Sequence, residues 1–280
     1  MSLHRQALTL AADEIQGLDA GAPAPQAGAM TEPQTTRFQS FDGVEIAVHT
    51  AGAGRPVVLL HGFFSSGQQN WFLPGHAERL VAAGFQVIAP DLRGHGKSGA
   101  PVEAEAWPQD VLARDQAALI AHLGLSDFDL VGYSLGARTS VRAVIGGLAP
   151  RKMALGGMGA SGIMAAGARA AMFEDSIRNG ANARDPRAGK FIQALMAEMG
   201  LNPQAMLGVL AAFQETTEDQ IAAIQVPTLV VCGDADRDNG SPHELVELLP
   251  RGELVIVPGD HRAAAATPEL GEAVESFLTA

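Results

Sequence analysis

The sequence predicts an α/β architecture, a mostly parallel twisted sheet flanked by helices. Two observations carry this. From Thr36 onward, short apolar runs alternate with helix-length segments, the rhythm of parallel strands joined by helical crossovers. Within that rhythm, Gly132-Tyr133-Ser134-Leu135-Gly136 directly follows the apolar run Phe128-Asp129-Leu130-Val131 and directly precedes a helical segment, Ala137 to Ile145. Strand, sharp turn and helix in that order are the setting in which a Gly-x-Ser-x-Gly turn presents a serine hydroxyl. Side chains beside the serine's neighbours would clash, so glycine flanks the turn on both sides. The helix N-terminus that follows favours negative charge beneath the hydroxyl.

The elements follow in chain order. Residues 1–34 read as a flexible leader, because Gly17 to Gly28 is rich in Ala, Gly and Pro. Leu8 to Ile15 forms a short helix at most, and Met30 offers an alternative start. Thr36 to Phe41 and Val44 to Thr50 pair as a hairpin around Asp42-Gly43. Pro56 to Leu60 is continuously apolar, as a strand buried on both faces must be. A helix at Pro74 to Ala83, a strand at Phe85 to Ala89 and a helix at Val111 to Leu123 lead to the serine turn. Met153 to Gly157, Thr228 to Cys232 and Leu254 to Val257 complete the sheet, and Ser241 to Leu249 and Pro268 to Leu278 are the last helices.

Residues 161–220 break the alternation, and we expect them to form a helical cap inserted into a core of 35–160 and 221–280. Phe191, Leu195 and Met199 share one helical face, as do Met206, Leu210 and Phe213. Seven of the nine methionines lie between Met153 and Met206, and such polarizable side chains suit a loosely shaped apolar pocket as well as ordinary helical packing.

A formal charge of −12 argues against nucleic acid and anionic membranes as partners. No apolar run reaches the ~18 residues of a membrane span. No basic segment followed by a long apolar stretch marks a secretory signal. A lone cysteine, Cys232, excludes a disulfide framework. Together these predict a cytoplasmic globular protein.

Ser134 needs a base, since a free hydroxyl is a weak nucleophile at neutral pH. Of eight histidines, His261 is best placed, in Pro258-Gly259-Asp260-His261 after the terminal strand. Loops at the C-terminal edge of a parallel sheet form its usual crevice. The base in turn needs a carboxylate to fix its tautomer. Asp234 and Asp236 both follow the strand Thr228 to Cys232.

These residues, in this order, resemble the α/β-hydrolase superfamily of serine esterases and lactonases. The resemblance runs from about Phe38 to Leu278. It rests on His61-Gly62-Phe63-Phe64, Asp91-Leu92-Arg93-Gly94-His95-Gly96-Lys97-Ser98, the serine pentapeptide, Val226-Pro227-Thr228 leading to Gly233-Asp234-Ala235-Asp236, and Gly259-Asp260-His261. Tyr133 stands where the family usually has His. The family's acid lies three residues after the strand-end glycine, which implies Asp236 rather than Asp234. The resemblance also implies an oxyanion hole from the backbone N–H groups of Phe63 and Leu135, each donor typically worth ~3 kcal/mol. The implied activity is hydrolysis of a carboxylic ester or lactone, with no cofactor and no metal. Carbon–carbon bond hydrolysis, perhydrolysis and acyl transfer use the same triad. Epoxide-hydrolase and dehalogenase chemistry place a carboxylate at the serine position. A non-enzymatic small-molecule receptor is the reading of another class.

Two motifs mislead. Gly94 to Ser98 looks like a phosphate loop, but the required first glycine falls on Asp91. His95 there reads as structural. Gly157-Met158-Gly159-Ala160-Ser161-Gly162 matches Gly-x-Gly-x-x-Gly without a second strand ending in an acid, so it reads as a flexible exit into the cap. Trp71 and Phe72 suit either an acyl pocket or core packing.

Overall fold

The computed structural model describes residues 33–165 and 167–280. The helix expected at Leu8 to Ile15, the alternative start at Met30 and nearly all of the leader lie outside those residues.

Eight strands form one sheet: β1 (Gln34–Gln39), β2 (Glu45–Ala51), β3 (Arg55–Leu60), β4 (Phe85–Pro90), β5 (Asp129–Tyr133), β6 (Met153–Gly156), β7 (Thr228–Gly233) and β8 (Gly252–Val257). Their order is β1-β2-β4-β3-β5-β6-β7-β8. The β1–β2 and β2–β4 pairs are antiparallel and every other pair is parallel.

Alternation along the strands sends side chains to two cores. Val58, Leu60, Leu130, Leu155 and Val230 face one side, where Leu119, Val141 and Leu245 from helices Val111–His122, Leu135–Ile145 and Pro242–Leu248 cover them. Val57, Leu59, Val131, Leu229 and Val231 face the other, under Leu80, Val274 and Leu278 of helices His76–Ala82 and Pro268–Thr279. Each such Leu or Val, removed from water, contributes roughly 1.5–3 kcal/mol. Two-sided burial is why β3, β5 and β7 read as continuous apolar runs.

The hairpin differs from expectation. Its connection is the loop 40–44 rather than a two-residue turn, and the Ser40 N–H donates to the Val44 carbonyl at 2.9 Å. Arg93 holds this loop. This wholly buried guanidinium grips Asp42 with two donors, at 2.6 and 2.8 Å, and Asp115 with two more, at 3.0 and 2.7 Å. The Asp91-to-Ser98 stretch thus ties β4 to the hairpin and to helix Val111–His122.

Between β6 and β7 the described residues form helices and turns. Pro186–Glu198 starts where Asp185 accepts the Arg187 and Ala188 N–H groups, with Pro at its first position. Pro203–Ala211 repeats the device with Asn202, and Glu218–Ala222 opens on a Thr217–Gln220 capping box. Helix Gly167–Asn179 lies over the strand ends, where the Phe173 ring meets Phe63 and Phe64 edge-on at 5.4 and 5.5 Å. No described helix is long and apolar enough to cross a membrane.

Candidate active site

The chain reverses direction across the sheet at β3. It passes to β4 on one side and returns to β5 on the other, and ligands bind at such a switch point. The loops after β3 and β5 carry His61-Gly62-Phe63 and Ser134.

Ser134 has φ 52° and ψ −111°, a conformation L-residues avoid. Packing holds it there. A Cβ on Gly136 would stand 2.0 Å from the Leu60 carbonyl oxygen, and one on Gly132 would stand 2.3 Å from the Gly136 carbonyl carbon. Only glycine lets β5, the turn and the next helix approach this closely. The Ser134 N–H donates to Gly156 at 2.8 Å, which ties the turn to β6.

His261 is brought to this turn. Its Nε2 lies 3.0 Å from Ser134 Oγ, and its Nδ1 lies 2.8 Å from Asp236 Oδ2. Asp236 accepts the proton at Nδ1, which leaves Nε2 as the acceptor facing the hydroxyl. Burial opposes ionisation of Asp236, but the His261 hydrogen bond and the Asp238 N–H hold its carboxyl below the usual range. Asp234 is spent elsewhere, accepting the Gly259 N–H at 2.9 Å. Asp236, Asp238 and His261 place three metal-type donors within 4.8 Å of one another, yet Asp236 and His261 already engage each other.

The loop after β3 completes the site. A Cβ on Gly62 would lie 3.6 Å from that of Ser134. His61 is buried beneath, its Nδ1 on the Gly62 carbonyl at 2.8 Å and its Nε2 accepting the Leu92 N–H at 2.9 Å. Burial pushes its pKa down, with Asp91 opposing, and keeps the ring neutral. Among the described residues, the N–H groups of Phe63 and Leu135 donate to no protein acceptor. Leu135 opens the helix under the serine, where such amides are unpaired by geometry.

Two clefts reach Ser134. The smaller, about 850 Å³, is bordered by Leu135, Arg138, Met158, Phe173, Phe213 and Asn239. The larger, about 1580 Å³, contains His261, Tyr133 and Asn70, and is roofed by Phe191, Leu195 and Met199. That helical face therefore lines a cleft, whereas Met206 and Leu210 are buried in the core.

Three polar residues here escape the sequence. Tyr133, inside the serine motif, donates its hydroxyl to the His261 carbonyl at 2.7 Å. Asn239 donates to Gly157 at 2.8 Å beside the imidazole, and Asn70 accepts the Gly62 N–H at 2.9 Å. Tyr133 carried a signal, as a departure from the family's usual histidine. The two asparagines carried none, being ordinary loop residues until folded.

The remaining candidates lie off the site. His95 is buried, donating from Nδ1 to the Arg93 carbonyl at 3.1 Å. Trp71 is core, at 2% exposure, and Cys232 is buried on β7, its thiol pushed up to about 12 by burial and the nearby Asp236. Gly157 and Gly159 are small because the Tyr133 ring and the Gly240 carbonyl press on them.

Comparison with known proteins places this geometry. Residues 55–145 match the family model described as alpha/beta hydrolase fold. A non-heme haloperoxidase from Rhodococcus erythropolis is 31% identical over 249 residues, covering 78% of this chain and 89% of the relative. The chain belongs to the α/β-hydrolase family. A bromoperoxidase from Bacillus anthracis superposes with TM-score 0.67 at 25% identity, over 88% of this chain and 100% of that one. An esterase from Exiguobacterium antarcticum shares the fold, with TM-score 0.69 at 21% identity over 88% and 100% of the two chains. Proteins named as epoxide hydrolases also occur among this α/β-hydrolase's relatives.

Proposed function

We propose that this α/β-hydrolase cleaves a carboxylic ester or lactone of small to medium size, with a largely hydrophobic body, through an acyl-enzyme on Ser134. The observation that carries this is the relay from Ser134 Oγ through His261 to Asp236, at 3.0 and 2.8 Å, at the mouth of two largely apolar clefts. His261 takes the hydroxyl proton as Oγ attacks the carbonyl. The Phe63 and Leu135 N–H groups hold the oxyanion, aided by the helix N-terminus. His261 then returns the proton to the departing alcohol, and water repeats the sequence on the acyl-enzyme. Because His261 borders the larger cleft, the alcohol leaves by that side and the acyl chain occupies the smaller one. Residues 161–220 act as the cap that shapes both.

The names of the haloperoxidase relatives favour a second reading on the same triad, perhydrolysis, in which hydrogen peroxide replaces water. Carbon–carbon hydrolysis is less favoured, since Arg262 rather than an aromatic follows His261. Steady turnover of a p-nitrophenyl ester series, abolished in Ser134→Ala, is the expected result. A single turnover that leaves a stable adduct would instead mark a receptor. Peracid formation from peroxide and a short carboxylate, faster than ester hydrolysis, would favour the second reading.

A further inference from the structure

We propose that the smaller cleft is an acyl site for a chain that ends in a carboxylate, with Arg138 as the anchor of that carboxylate. The proposal rests on the ester-hydrolase reading and names its substrate class: half-esters of dicarboxylic acids, or lactones whose opened acyl group bears a second carboxylate.

Arg138 sits four residues beyond Ser134 on the same helix, one turn and about 6 Å along its axis. It is only 5% exposed and borders the smaller cleft together with Ser134. Such depth normally demands a carboxylate partner, because a buried charge left unpaired is costly. Among the described residues, no carboxylate lies within ion-pair distance of Arg138. Its acceptors are neutral. Nη1 donates to the Gly162 and Ile163 carbonyls at 2.9 and 2.7 Å, and Nη2 donates to the Gln214 carbonyl. Of the guanidinium's five N–H groups, this leaves the Nε–H and one on Nη2 without a protein acceptor.

The three carbonyls and the Phe213 ring, 5.1 Å from the guanidinium carbon, hold the group in place before any ligand arrives. Burial, aggravated by Arg142 and only partly offset by the more distant Asp110 and Glu215, draws its pKa down to about 10, so it stays a cation at neutral pH. The cleft's other charges cancel, since Arg169 pairs with Asp238 at 3.0 Å. One fixed positive charge therefore faces a cleft whose walls are otherwise mainly Leu135, Met158, Phe173 and Phe213. Methylene groups suit those walls, and a terminal carboxylate supplies the missing anion in a forked pair.

The test compares kcat/KM of the full chain on monomethyl succinate, glutarate and adipate. Each is set against the neutral methyl ester in which an isopropyl group replaces the carboxylate. We expect the acid to be preferred by about tenfold or more for at least one length, the scale of one charge-assisted hydrogen-bond pair. We expect Arg138→Met to collapse that ratio. Because Arg138 also holds three backbone carbonyls, a variant that fails to fold leaves the decision to the wild-type ratios and to calorimetry on Ser134→Ala, where the half-ester should bind at least tenfold more tightly than its isostere. Equal or better turnover and binding of the neutral esters at every length would overturn the proposal. If no ester of either kind is hydrolysed, the ester-hydrolase reading fails, and the calorimetry alone decides the carboxylate site.

Discussion

Tyr133 donates its phenolic hydrogen bond to the carbonyl oxygen of His261 at 2.7 Å, joining the residue before Ser134 to the residue whose imidazole meets the Ser134 hydroxyl. The two lie 128 positions apart in the chain. Burial raises the phenol's pKa well above its usual value, so it remains a donor at any physiological pH. Tyr133→Phe keeps the ring but strands the carbonyl. We expect kcat to fall about tenfold with KM nearly constant, and stability to fall by ~1–2 kcal/mol. Steady-state kinetics with urea unfolding checks both, and an unchanged kcat would show that the imidazole is held by its other contacts alone.

Asp236 and Asp234 should separate by orders of magnitude. Asp236→Asn keeps the shape but presents an amide where Nδ1 needs an acceptor, and kcat should drop by about 10⁴. Asp234→Asn touches only the Gly259 N–H on an exposed loop, so kcat should stay within about threefold. Parallel ester assays on the two variants settle the assignment.

Most of the sheet, and the turn that follows β5, was legible in the sequence, for a physical reason. The strands buried on both faces announce themselves as apolar runs, and the serine turn is compressed enough to demand glycine at 132 and 136. What was not legible depends on packing between distant segments. Arg93 gripping Asp42 within the loop 40–44 is one case. Asn239 acquires its partner only when the loop after β7 meets the end of β6, and Asn70 only when the loop after β3 folds back on itself. Arg138 is buried only because segments beyond Gly157 pack over it, supplying the Gly162, Ile163 and Gln214 carbonyls.

Gly136→Ala should be among the most damaging single changes. Its Cβ meets the Leu60 backbone at 2.0 Å, and neither β3 nor the helix can yield. We expect a loss above ~3 kcal/mol, or no soluble protein. Gly146→Ala, at the end of the same helix with φ −74° and a nearest contact of 3.3 Å, should change stability by less than ~0.5 kcal/mol. Urea midpoints of the pair test whether the turn, rather than glycine loss in general, is responsible.

Acid should destabilise the fold in a defined window. Burial, reinforced by His61, lowers the His95 pKa to about 3 against an ordinary 6.5. Between those values the unfolded chain binds a proton that the folded chain refuses. The stability this neutral ring contributes is complete above about pH 6.5 and is lost as pH falls towards 3, by ~1.4 kcal/mol per pH unit within the window. Urea unfolding at pH 7, 5 and 4 should show the decline, and His95→Asn should flatten it; an equally steep slope in that variant would assign the decline to other groups.

The convergence of Ser134, Asp236 and His261 is tested most directly by reacting the full chain with a fluorophosphonate and locating the adduct by mass spectrometry. One adduct per chain on Ser134 is expected, formed at least about 10³ times more slowly in His261→Ala. Labelling at another residue, or of Ser134 at an undiminished rate without His261, would contradict the relay.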